Sequence, residues 1–237
     1  MLLALAIIMA PKRLKCWAII LALFLPSVGQ AAETSDSETY VALYGGLTIP
    51  KSFQENRVSS VNLTNLELAR SPIYGVKLGM FLPGQDRWMG VETEFFYTNP
   101  HIKQQNISFS GTGVGCPGGL PPPCKDNFAG AHVRVATWAV NWILRYPGER
   151  FQPYIGAGPG IFWGRMSGVD LGTGSDTSLG LNALAGIRLF LTKSFAVFGE
   201  YKYNRVTFDF GGTGATAAGL HTLYQPQQYV AGFSLLF

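Results

Sequence analysis

A period of two governs this chain. In eight stretches apolar side chains take every second position and small or polar ones the positions between, the pattern of a β-strand with two unlike faces. Residues 39–49 set Val41, Leu43, Leu47 and Ile49 against Tyr40, Ala42, Tyr44 and Gly46. Residues 73–82 set Tyr74, Val76, Leu78, Met80 and Leu82 against Gly75, Lys77, Gly79 and Phe81. The same holds over 88–98, 133–146, 152–164, 195–208 and 227–237. The cleanest case is 178–191, where Leu179, Leu181, Ala183, Ala185, Ile187, Leu189 and Leu191 oppose Gly180, Asn182, Gly186 and Arg188. Beyond the N-terminal region no stretch is long and apolar enough for a membrane-spanning helix. With 13% aromatic and only 14% charged residues, the chain carries its apolar surface on strands.

The connections between these stretches alternate in length. Residues 84–87, 147–150 and 192–194 read as tight turns, whereas 50–72, 99–132, 165–177 and 209–226 read as long loops rich in Gly, Asn, Ser and Thr. An even number of antiparallel strands lets the first pair with the last and leaves no unpaired edge, which is how strands cross hydrocarbon. The last stretch places Tyr229, Ala231, Phe233, Leu235 and Phe237 on one face and stops on the aromatic, as a closing strand in lipid would. The predicted fold is therefore all-β: an eight-stranded antiparallel up-and-down transmembrane β-barrel. Its expected home is a bacterial outer membrane, with short turns and both termini periplasmic and the long loops outside.

The N-terminus fits export. Lys12, Arg13 and Lys15 precede a short apolar run at 17–25, and Gly29-Gln30-Ala31 offers the small residues of a signal-peptidase site. We expect a secretory signal over 1–31, a short periplasmic segment over 32–38 and the barrel over 39–237. The run at 17–25 is far short of the roughly 20 residues of a spanning helix. Met9 is an alternative start, and Cys16 follows Leu14-Lys15 and not small residues, which argues against a lipoprotein. Residues 1–31 hold three of the 18 basic residues and none of the 14 acidic ones, which leaves the mature chain at a net charge of +1. With no basic run or interleaved aromatic patch, nucleic-acid binding is excluded. Cys116 and Cys124, in CPGGLPPPC, are expected to form a disulfide in an oxidising compartment, worth about 2–3 kcal/mol in the chain-entropy model. Two thiols without a nearby His do not make a metal site.

Cost decides which face meets lipid. Lys77, Glu92, Glu94, Arg145, Arg188, Glu200 and Lys202 share the parity of the small residues, and a Lys or Arg facing lipid at the midplane costs roughly 2–4 kcal/mol. The alternation thus sends every strand charge into one lumen. Eight strands leave room only for side chains, so these four cations and three carboxylates, with Asn141 and Asn182, are expected to pair as a packed polar plug. Phe81, Phe96, Leu184 and Phe190 share the lumen parity. Trp138, Trp142, Tyr97, Tyr146, Trp163, Tyr201, Tyr203 and Tyr229 take the other, as aromatic girdles.

The chemical motifs are weak. Gly156-Ala157-Gly158-Pro159-Gly160 has a strict spacing of two in mid-strand, unlike a phosphate-binding loop. Pro159 removes a ladder hydrogen bond, and a local bulge is expected there. Glu92 and Glu94 have the spacing of an acid/base couple but share a face with cations, which favours ion pairing. His101, His132 and His221 all fall near loops, with no His-x-Ser pair on a lipid-facing strand.

The opening YVALYGGLTIP, the Gly-x-Glu-x-Glu of 90–94, NWILRYP leading into PYIGAGPGIF, FGEYKY and the terminal Phe237 together make the chain resemble the eight-stranded OmpA-like and opacity-type family of outer-membrane β-barrels, over about 39–237. It departs from that family at Pro159 and in having no C-terminal peptidoglycan-binding domain, so cell-wall tethering is not expected. The resemblance implies that Tyr229, Phe233, Leu235 and Phe237 are the signal read by the outer-membrane assembly machinery. The expected role is that of a non-enzymatic, monomeric barrel without cofactor, in contact with outer-membrane lipid, whose outer loops meet an extracellular ligand or host surface. The alternatives are a narrow pore for ions or small solutes and a lipid acyl hydrolase.

Overall fold

The computed structural model describes residues 37–50, 54–58, 61–64, 68–83, 87–102, 105–111, 124–128, 130–168, 172–212 and 220–237. Eight strands form its wall: β1 (Glu38–Pro50), β2 (Ser71–Phe81), β3 (Met89–Thr98), β4 (Ala131–Arg145), β5 (Phe151–Gly168), β6 (Gly172–Phe190), β7 (Phe195–Gly212) and β8 (Pro226–Leu236). Each pairs antiparallel with the next. β8 then pairs with β1 from Tyr40↔Leu236 to Pro50↔Pro226, which closes the sheet on itself. The seam is extended by Phe237 N donating to Thr39 O at 2.8 Å. Closure gives every wall strand a partner on both sides, so that no edge is left open to lipid.

Burial follows the period of two. On β4, Val133, Val135, Thr137, Ala139, Asn141, Ile143 and Arg145 are buried, while Trp142, Leu144 and Arg134 between them are exposed. The core is the lumen, and the apolar surface is outside: Leu181 is 63% and Tyr146 68% exposed.

Three features differ from expectation. First, 165–177 is not a long loop. β5 and β6 stay paired from Phe151↔Leu189 to Gly168↔Gly172. Past Trp163 and Leu179 their outward positions turn polar, at Arg165, Ser167, Thr173, Ser175 and Thr177, so the hydrophobic alternation fades while the strands continue. Second, Pro159 causes no bulge. Its pairing with Leu181 on β6 is regular, and on the β4 side the same register resumes at Gly160↔Ala139 after Ala157↔Trp142. The missing donor faces β4 alone, so the loss is confined to two unpaired positions. At Gly158 a Cβ would lie 1.8 Å from Val140 O, so glycine lets the strands stay close beside the proline. Third, not every strand charge enters the lumen, because Arg134, Arg165 and Arg205 are exposed on the outer face towards the loop ends of β4, β5 and β7.

The remaining loops carry structure of their own. Short strands at Leu220–Tyr224, Gln54–Val58, Val61–Thr64, Gln105–Gly111 and Cys124–Phe128 pair in that order and extend the sheet from β7 beyond the barrel. His101–Ile102 pairs with the start of β4. At the opposite end the turns are short. Thr192 Oγ1 accepts from Phe195 N at 3.0 Å between β6 and β7. Between β2 and β3, Arg87 adopts φ 46°, a left-handed conformation that is costly for a side chain.

Candidate functional site

The lumen holds a charge cluster built by β2, β3 and β7. Lys77 Nζ lies 3.0 Å from Glu92 Oε1, 2.7 Å from Glu200 Oε2 and 3.8 Å from Glu94 Oε2. Lys202 Nζ pairs with Glu94 and donates to Tyr44 OH at 3.0 Å. The second layer is polar and neutral. Tyr40 OH donates to Glu92 Oε2 at 2.6 Å, Tyr44 OH to Glu94 Oε2 at 3.1 Å and Tyr154 OH to Glu200 Oε2 at 2.9 Å. An amide relay completes it: Asn204 Nδ2 donates to Asn182 Oδ1 at 2.7 Å, Asn182 Nδ2 to Asn141 Oδ1 at 2.9 Å, and Asn141 and Asn182 both to Glu94 Oε1. Buried charges are tolerated when each is paired and its remaining lone pairs are occupied, as they are around Glu94.

Small residues opposite large ones make this packing possible. Tyr40 faces Gly79 across β1 and β2, where a Cβ would fall 2.2 Å from the tyrosine ring. The ring therefore lies over bare backbone and its hydroxyl reaches Glu92.

Of the residues expected in the network, Lys77, Glu92, Glu94, Asn141, Asn182, Glu200 and Lys202 meet at the centre. Arg145 and Arg188 stand apart, towards the turn end. Arg145 forms a two-pronged pair with Glu38, at 2.6 and 2.8 Å, and donates to Gln152 Oε1 at 3.1 Å and to Arg87 O at 2.9 Å. Arg188 lies with its guanidinium carbon 4.1 Å from the Tyr40 ring centroid and is held by cation–π contact. Glu38 adds a carboxylate at the turn end, opposite Arg145. It was legible only by extending the parity of Tyr40 and Ala42 two residues upstream.

A second, apolar layer fills the loop half of the lumen: Phe162, Met166, Phe208, Phe210 and Tyr224 are all buried, with Phe208 and Phe210 rings stacked at 5.1 Å. Phe96 lies beneath it, 4.0 Å from Lys202 Nζ. Phe81 and Leu184 are buried in the lumen as expected, and Phe190 is half-buried at its turn end.

On the outside, Tyr229, Phe233, Leu235 and Phe237 are all exposed, and aromatic pairs line the wall: Tyr201–Tyr229 at 5.3 Å and Tyr74–Tyr97 at 5.5 Å. Trp138 is half-buried, its Nε1 donating to Thr93 Oγ1 at 2.8 Å. His132 is the register partner of His101 on one side and of Ser167 on the other, while His221 faces Asp209. Among the described residues no group of three His, Cys, Asp or Glu is placed to hold a metal. Cys116, and with it the expected disulfide to Cys124, lies outside the described residues, as does the segment 1–36.

A closed antiparallel wall, apolar outside and charged within, defines an integral β-barrel of the membrane. The model of the outer membrane protein beta-barrel domain matches residues 18–237, and the chain belongs to that family of bacterial outer-membrane proteins. Similar solved structures include Ail, the attachment invasion locus protein of Yersinia pestis, in complex with the heparin analogue sucrose octasulfate. It is 11% identical, with a TM-score of 0.48 over 86% of this chain and 100% of that one. Neisserial surface protein A is 12% identical, with a TM-score of 0.49 over 85% and 99%. The outer membrane protease OmpT from Escherichia coli is 10% identical, with a TM-score of 0.44 over 90% and 100%. A comparison with curated proteins finds no match to the chain.

Proposed function

We propose that this protein is a non-enzymatic, monomeric outer-membrane barrel whose lumen is sealed and whose loop end is the working surface. In this reading both termini and the short turns are periplasmic and the loops lie outside, where they meet a ligand or host surface. The assembly machinery reads the C-terminal strand with Tyr229, Phe233, Leu235 and Phe237. The observation that carries the proposal is the filling of the lumen. The nine polar residues anticipated there are each at most 7% exposed, and an aromatic layer lies beyond them. A packed interior makes a rigid scaffold, and loops on rigid scaffolds carry function.

Planar-bilayer recording of the purified protein tests the seal. Absence of steady conductance is expected, and a reproducible channel would favour the narrow pore instead. One observation bears on a hydrolase: His132 and Ser167 are neighbours across β4 and β5 on the outer face. Among the described residues, however, no carboxylate is placed to orient that imidazole and no hydrogen bond joins the pair, and nucleophilic catalysis needs both. Incubation with labelled lipid A and phospholipid is expected to leave both intact.

A further inference from the structure

The outer face of β4 and β5 changes character at its loop end. From Tyr146 to Ala136 the outward positions of β4 are apolar, and the next two are Arg134 and His132. On β5, Trp163 is followed by Arg165 and Ser167. The ten steps from Tyr146 to Ala136 span about 33 Å of strand, or about 25 Å along the membrane normal at a tilt of roughly 40°, which is the height of the apolar band on such barrels. Arg134 and Arg165 therefore emerge where hydrocarbon gives way to headgroups.

The two arginines are register partners, which puts their Cβ atoms roughly 5 Å apart on one face. Both are exposed, and among the described residues neither has an ion-pair or hydrogen-bond partner. Like charges directly opposed on a sheet repel unless an anion joins them. By contrast, the lumen-facing cations Lys77, Lys202, Arg145 and Arg188 each have a carboxylate or an aromatic ring against them. Ser175, the partner of Arg165 on β6, and Ser167 add hydroxyl donors beside the pair.

We propose that Arg134 and Arg165 form a binding site for the phosphate of an anionic lipid in the leaflet around the loop end. The two guanidinium forks hold the phosphate oxygens, Ser167 and Ser175 supply further hydrogen bonds, and the acyl chains lie against Trp163 below. That this lipid is the phosphorylated glycolipid of the outer leaflet rests on the orientation proposed above; the affinity for lipid phosphate does not.

The test uses the full barrel refolded into phosphatidylcholine vesicles containing a minor fraction of diphosphoryl lipid A, extracted in mild detergent, with retained lipid counted by mass spectrometry. The wild type is expected to retain lipid A, and Arg134→Gln/Arg165→Gln to retain about tenfold less, the loss of charge-assisted bonds. Arg150→Gln, at the turn end, is expected to behave as wild type. Equal retention by the double variant, or equal retention of dephosphorylated lipid A by the wild type, would overturn the proposal. So would release of the lipid by millimolar inorganic phosphate, since that would point to a free anion. Symmetric vesicles make the result independent of which way the loops face, so orientation is tested separately, by protease access to the loops in whole cells.

Discussion

Lys202→Met removes one partner of the best-satisfied carboxylate in the lumen. Glu94 receives Lys202, Tyr44 at 3.1 Å, Asn141 at 3.2 Å and Asn182 at 2.6 Å, and its side chain is fully buried. Without Lys202 the one remaining central cation is Lys77, 3.8 Å from Glu94 and already committed to Glu92 and Glu200. One ammonium then faces three carboxylates where two did before, and stranding a buried charge costs about 3–5 kcal/mol. With a urea slope of about 2 kcal/mol/M, the unfolding midpoint should fall by roughly 2 M. The assay is urea unfolding in lipid vesicles, followed by tryptophan fluorescence and by the shift of the folded band on unheated gels. The double variant Lys202→Met/Glu94→Gln removes both charges while keeping one of the two acceptor oxygens, and should recover more than half of the loss. A single variant within about 0.5 M of wild type, or a double variant as unstable as the single, would refute the idea that the network is held by mutual neutralisation.

Three further outcomes follow from the same geometry. Gly79→Leu should displace the Tyr40 ring from Glu92 and lower stability by about 1–3 kcal/mol, seen as an earlier loss of the heat-resistant gel band. Leu43→Arg, outward on β1 near the middle of its apolar stretch, should cost about 2–4 kcal/mol, whereas Ser167→Arg, outward at the loop end, should cost about 0–1 kcal/mol; comparing their unfolding midpoints in vesicles checks the depth assigned to each position. Deleting Phe237 removes the seam bonds to Thr39 and should reduce the folded fraction recovered from membranes more than shortening any loop does, as read by pulse-labelled assembly in cells.

Much of the wall could be read from the chain because lipid enforces parity on each strand. Lys77, Glu92, Glu94, Glu200 and Lys202 all fell on the face of the glycines, and that alone brings them into one lumen. What escaped was governed by other rules. Arg134, Arg165 and Arg205 point outward because the penalty for an outward charge vanishes past the hydrocarbon edge. The continuation of β5 and β6 to Gly168 and Gly172 was hidden by the same change of solvent, since outward serine and threonine erase the apolar period. The tyrosines that bind Glu92, Glu94 and Glu200 had the right parity. Their role depends on which glycine lies opposite, a matter of register that one strand's sequence does not contain. Pro159 suggested a bulge because the rule against proline in central strands counts one lost donor, and here that donor faces β4 alone.

Collision accessibility of single spin labels along β6, from 179 to 189 in reconstituted barrels, tests the central claim of a closed barrel with a filled lumen. Oxygen accessibility, and hence lipid contact, is expected at Leu179, Leu181, Ala183, Ala185, Ile187 and Leu189. Asn182, Leu184 and Arg188 should be protected from both oxygen and a water-soluble quencher. Water-quencher access at 182, 184 and 188 would contradict the sealed lumen, and loss of the two-residue period would contradict the barrel itself.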